Sequence, residues 1–102
     1  MIVIWSKSAQ SHWFEAAGYI KTEFGIKALD NFAKGTDDVV RQLSFMPLCG
    51  SFEPLLSHRN GNYRSIVYGK YSKLIYMVCN DIITIVDYWD TRREPKQLAE
   101  RI

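Results

Sequence analysis

The chain has 102 residues, 47% of them apolar and 24% charged, with a formal net charge of +2. These are ordinary values for a soluble globular protein, and the length supports one domain, residues 1–102, with one core rather than two. So small a total charge carries no strong nucleic-acid signature, although aromatics at 14% must be either buried or used for contacts. Cys49 and Cys79 lack CxxC spacing or paired histidines, so no metal site and no cofactor are expected. Cys79, flanked by apolar residues, is expected to be a small packing residue. "MIVIWSKS" lacks the pattern of a signal peptide, and no apolar run approaches bilayer length. The expectation is a reduced, cytoplasmic protein with no membrane contact.

"IVIW" at residues 2–5 reads as a short buried or half-buried strand. Ser6 and Ser8 offer N-cap hydroxyls for a helix. Ala9, Trp13, Ala16, Ala17, Ile20 and Phe24 then recur at helical spacing, and Gly25 stands where a C-cap belongs. A second helical pattern runs from Ile26 to about Phe45. Gly35 and a potential N-cap at Thr36 leave open whether it is one helix or two. Pro47 ends it, and the two helices make an αα-hairpin whose apolar stripe needs a surface to cover. Residues 47–62, "PLCGSFEPLLSHRNGN", form a connector with "EPLL" as a hydrophobic anchor. His12 and His58 are isolated and read as surface residues. A short terminal helix is expected from near Pro95.

The stretch "YRSIVYGKYSKLIYMVCNDIITIVDYWDTRR" reads as three consecutive strands. Asn80 and Asp81 both tolerate left-handed backbone, so a two-residue hairpin there sets Cys79 opposite Ile82, Met77 opposite Thr84, Ile75 opposite Val86 and Lys73 opposite Tyr88. A four-residue turn at Gly69–Ser72 would add Arg64, Ile66 and Tyr68 to the same face. Leu74, Tyr76, Val78, Ile83, Ile85, Asp87 and Trp89 take the other face, with Tyr76 and Trp89 as core aromatics. Both faces are apolar and a helical hairpin covers only one, so part of the second is expected to be covered by a partner protein or second copy, the alternative being a concave sheet partly filled by the chain's own loops. Arg59, Arg64, Lys70 and Lys73 fall in a stretch without acidic residues, and Arg92 and Arg93 follow the last strand. Arginine and lysine beside Tyr68 and Tyr88 suit either phosphate with stacked bases or an acidic peptide.

In order and spacing, "YIKTEFG", "LSFMPLCG", "YRSIVYGKYSKLIYMV" and "IITIVDYWDTRREP" resemble the RelE/ParE superfamily, toxins of type II toxin–antitoxin (plasmid stabilisation) systems. The resemblance implies an α+β fold: an N-terminal strand and helical hairpin on one face of an antiparallel sheet, with a short C-terminal helix. It implies a cognate antitoxin as partner, wrapping the toxin, and no small-molecule substrate. Two targets stay open. RelE-like members cut mRNA on the ribosome, and Arg64, Lys73 and Arg92 match their basic catalytic positions. Ile66 stands where a second basic residue is expected, and "EPKQLAERI" lacks the terminal tyrosine or histidine, with Leu98 near its place. Tyr68, Tyr88, Glu53 or His58 could stand in as the acid–base group, and no spacing selects one of them. ParE-like members are not nucleases and poison DNA gyrase, and "RREP" resembles their Arg-Arg-Asp-Pro ending. The reading leans to this second type, with Tyr68, Tyr88, Arg93, Ile75, Met77 and Val86 as partner- or target-binding residues. A third reading is a degenerate partner-binding module without toxicity.

Overall fold

The computed structural model describes residues 1–56, 62–93 and 95–102; His58 and Arg59 lie outside them. Strand β1 (Ile2–Trp5) leads into helix α1 (Lys7–Phe24), helix α2 (Ile26–Phe45) and a two-residue strand β2 (Ser51–Phe52). A 3-10 turn at Pro54–Leu56 precedes strands β3 (Tyr63–Tyr68), β4 (Ser72–Cys79) and β5 (Ile82–Asp90), and a short helix α3 (Pro95–Arg101) ends the chain. The five strands form one sheet in the order β1-β5-β4-β3-β2. All neighbours are antiparallel except β1, which runs parallel to β5. The parallel pair follows from connectivity, because the hairpin and three strands intervene before β5 returns beside β1.

Local chemistry sets the joints. Ser6 caps α1, its hydroxyl accepting the Ala9 N–H at 3.0 Å while donating to the Val86 carbonyl at 3.0 Å. Gly25, at φ +93°, joins the helices in a conformation that a side chain would disfavour. Helix α2 runs unbroken through Gly35. Thr36 is therefore no N-cap: it is buried, and its hydroxyl bonds the Phe32 carbonyl, the Trp13 indole N–H and the Tyr68 hydroxyl.

The hairpin covers one sheet face. Ala9, Val39 and Leu43 meet Leu74, Tyr76, Ile83, Ile85 and Tyr88 there, with Val3, Trp5, Ile66 and Tyr68 packed around them. Alternation then points Ile2 and Ile4 to the opposite face. That face has a second, smaller core in which Leu56 and Leu98 lie on Ile75 and Trp89, with Tyr63 and Val86 beside them.

Two register details differ from the sequence reading. Asn80 and Asp81, at φ +49° and +65°, make the two-residue hairpin, and Cys79 pairs with Ile82 and Met77 with Thr84. A bulge between Ile75 and Tyr76 then shifts the ladder, so Ile75 pairs with Asp87, Leu74 with Tyr88 and Lys73 with Trp89. The other turn holds three residues, Gly69 to Tyr71, not four, and Tyr68 pairs with Ser72. Each one-residue change reverses a face. Tyr88, Arg64, Ile66 and Tyr68 therefore lie on the helix side, whereas Trp89 and Asp87 leave it. Cys79 is exposed at the hairpin and fills no core position.

Candidate functional site

Arg64, Lys73 and Arg92, matched to RelE-type catalytic positions, do not converge. The Arg64 guanidinium donates to the Gly50 carbonyl at 2.8 Å and lies 4.1 Å over the Phe52 ring. It braces a connector that is tight for a reason: a Cβ on Gly50 would come within 2.6 Å of both the Ser65 carbonyl oxygen and the Tyr76 hydroxyl. Lys73 points from the opposite face, its Nζ 2.6 Å from Glu53 Oε2. Glu53 is buried, and among the described residues that oxygen has no other polar partner. Arg92 grips its own turn, donating to both Asp90 oxygens at 3.0 and 2.6 Å and lying 4.2 Å over Tyr71. This pairing holds the Asp90 carboxyl below its usual range. The basic stretch read from the sequence is thus divided between two faces, and Lys73 is neutralised within the fold.

The tyrosines are likewise engaged. The Tyr68 hydroxyl lies 2.9 Å from Thr36 Oγ1, and burial pushes its pKa up to about 12. The Tyr88 hydroxyl lies 2.9 Å from Ser72 Oγ, and burial raises its pKa as well. Both stay protonated near neutral pH, so neither is poised as a general base. Their rings form part of the floor of a groove of about 590 Å³ between the helical hairpin and the β3–β4 turn. Arg92 and Arg93 line the same groove, so four of the nine candidates meet there. Ile75, Met77 and Val86 share the second face. Ile75 is fully buried beneath Leu56 and Leu98 and cannot meet a partner while those residues cover it.

The sequence model described as "ParE toxin of type II toxin-antitoxin system, parDE" matches residues 3–95. The chain belongs to the ParE toxin family. The fold of this ParE-family chain is also that of a solved structure, the chromosomal ParDE TA system from P. aeruginosa, with a TM-score of 0.62. The match covers 88% of this chain and 95% of the other at 19% identity. The search of curated proteins gave no match.

The sequence reading missed one constellation. Asp87 is buried at the β5 edge just past the point where β1 ends, and Arg101 of α3 holds both its oxygens at 2.8 and 2.9 Å. His12 of α1, read as an isolated surface residue, places Nδ1 2.7 Å from the same carboxylate. Three segments from opposite ends of the chain are tied there. An aspartate set between Ile85-Val86 and Tyr88-Trp89 was the available signal, because a buried carboxylate requires a partner. No described helix is long and apolar enough to cross a membrane, and no described cluster of His, Cys, Asp and Glu has metal-site geometry.

Proposed function

We propose that this chain arrests growth as the toxin of a type II toxin–antitoxin pair, is neutralised by a cognate antitoxin, and acts on DNA gyrase without a nuclease step. Family membership supports the first part. The observation that carries the last part is the dispersal of Arg64, Lys73 and Arg92 into three structural roles on two faces. Phosphodiester cleavage by the RNA 2′-hydroxyl needs a base, an acid and phosphate-neutralising cations around one phosphorus atom. Here the cations are separated and the nearby tyrosines are held protonated. A gyrase poison acts through docking and needs no such convergence.

Inducible expression with simultaneous mapping of gyrase-trapped DNA breaks and mRNA 5′ ends tests this reading. Trapped breaks without new mRNA ends are expected. Codon-linked mRNA cuts would establish the ribosome-dependent nuclease instead, and absence of growth arrest would leave a partner-binding module. Co-expression of the product of an adjoining small open reading frame is expected to restore growth.

A further inference from the structure

The tie at Asp87 holds more donors than it can use. Arg101 Nη2 lies 2.8 Å from the Tyr88 carbonyl oxygen, 2.9 Å from Asp87 Oδ1 and 2.8 Å from His12 Nδ1. It carries only two hydrogens, so one of these contacts is not a hydrogen bond. Nε and Nη2 together make the forked arginine–carboxylate pair with Asp87, and a carbonyl can only accept. His12 Nδ1 is the odd contact. It lies 2.7 Å from Asp87 Oδ1, where a lone pair would face a carboxylate oxygen. Nδ1 therefore carries a hydrogen and donates it to Asp87, which leaves the free lone pair of the neutral ring on Nε2.

This assignment links α3 to a proton. Docked, α3 sets the Arg101 guanidinium against both Asp87 oxygens and 2.8 Å from the imidazole, so a positive ring is opposed there. Released, α3 takes that cation away. Asp87 stays in place, because Oδ1 still accepts the Tyr88 N–H at 2.9 Å, and His12 is the side chain left beside it. A carboxylate in that setting without a cation is costly, and protonation of His12 at Nε2 supplies one. The other charges around the ring do not belong to α3. Glu15 stands one turn along α1, and Lys70, Arg93 and the Arg92–Asp90 pair line the groove with its tyrosines. On α3 itself Glu100 is exposed, so water screens it.

Helix α3 is also short enough to leave. Its seven residues gain little from their own hydrogen bonds. What holds them is Arg101 and Leu98, the latter fully buried with Leu56 against Ile75 and Trp89. We propose that α3 is a proton-linked strap, docked while His12 is neutral and released as His12 takes up a proton. Release strips Leu98 from Ile75 and Trp89 and thins the cover of the second sheet face. Docking expels one proton, so α3 is held most firmly above the titration range of the imidazole and most weakly below it.

Amide hydrogen exchange of the full chain from about pH 5 to about pH 8, corrected for the intrinsic rate at each pH, tests the strap. The amides of α3 report on it, among them Ile102, whose N–H donates to the Leu98 carbonyl, and those of α2 are the control. Protection in α3 is expected to fall with pH by up to about tenfold per pH unit, the limit for one linked proton, with no such slope in α2. His12→Asn keeps a donor for Asp87 and has no proton to gain, so the slope should vanish. Arg101→Gln removes the cation and keeps a donor, so the His12 ring resonances should titrate at higher pH than in the parent. A slope that survives in His12→Asn, α3 amides that exchange only with global unfolding, or the same His12 titration in the parent and in Arg101→Gln would each overturn the proposal. Should Arg101→Gln fail to melt cooperatively, the parent and His12→Asn decide it between them.

Discussion

The second sheet face has two halves with the same strand chemistry and different surroundings. Over Ile75 and Trp89 the chain supplies its own cover: Leu56 from the connector and Leu98 from α3 are fully buried against them. Toward β1 the face is bare, with Ile2 65%, Ile4 48% and Ile82 38% exposed. An apolar strand pattern therefore states that a face needs cover, but it does not say who supplies it. The covered half is part of the fold, and disturbing it should cost stability. The bare half is surplus to the fold, and disturbing it should cost only association.

The largest effect is expected at Lys73. Replacing it with Ala leaves the Glu53 carboxylate buried without its counter-ion, a change worth about 3–5 kcal/mol in such settings. The lower end applies here, because the Lys73 side chain keeps 15% of its exposure. Lys73→Ala is thus expected to unfold at markedly lower urea concentration, while Glu53→Gln/Lys73→Met recovers most of the loss. If Lys73→Ala melts like the parent yet loses all toxicity, the residue serves function and the covered half is misread. Growth restored by Lys73→Ala without a folding measurement therefore has two explanations, loss of function and loss of the fold. Leu98→Ala comes next, at about 2–4 kcal/mol for a buried leucine. Its signature is local: amide exchange should rise in α3 and around Trp89 more than in the hairpin.

Much of this arrangement was legible in the sequence, and the failures share one cause. Helical periodicity placed α1 and α2, and the Asn80-Asp81 pair placed the β4–β5 hairpin, because each is a local preference written in adjacent residues. Which side chains share a face depends on strand register, and register depends on turn length and bulges. A three-residue turn and one bulge moved Arg64, Tyr68, Tyr88 and Trp89 across the sheet, and with them the candidate site. The self-cover by Leu56 and Leu98 was partly visible in "EPLL", which read correctly as an anchor without saying for which face. The Asp87–Arg101–His12 tie joins residues up to 89 positions apart, and no local pattern encodes such a meeting.

The helix side offers a smaller, pH-dependent contrast. Tyr68 has its pKa raised from 10.0 to about 12 by burial, so the folded chain holds that proton where the unfolded chain releases it. Stability is then level below pH 10 and falls as pH rises from 10 toward 12, by at most about 1.4 kcal/mol per pH unit from this one group. Tyr68→Phe should shift the whole curve down slightly through loss of the Thr36 hydrogen bond and flatten its alkaline slope. An unchanged slope would place the alkaline sensitivity on Tyr76 or Tyr88, both also raised by burial.

The smallest effect on stability, and the most telling, is expected for Ile2→Ser/Ile4→Ser. Strand β1 is anchored by Val3 and Trp5, which pack on the helix side, and by its parallel ladder with β5. The two isoleucines already face solvent, so their replacement should move the unfolding free energy by only about 0.5 kcal/mol. If the antitoxin is what covers the bare half, the variant should nonetheless bind it about tenfold or more weakly, since burying an isoleucine contributes roughly 1.5–3 kcal/mol. Titration calorimetry against the antitoxin, run beside urea unfolding of the isolated variant, separates the two quantities. A variant that binds as tightly as the parent removes the antitoxin from this surface. A variant that loses several kcal/mol of stability shows that the chain covers these side chains itself, and the division of the face into fold and surplus fails.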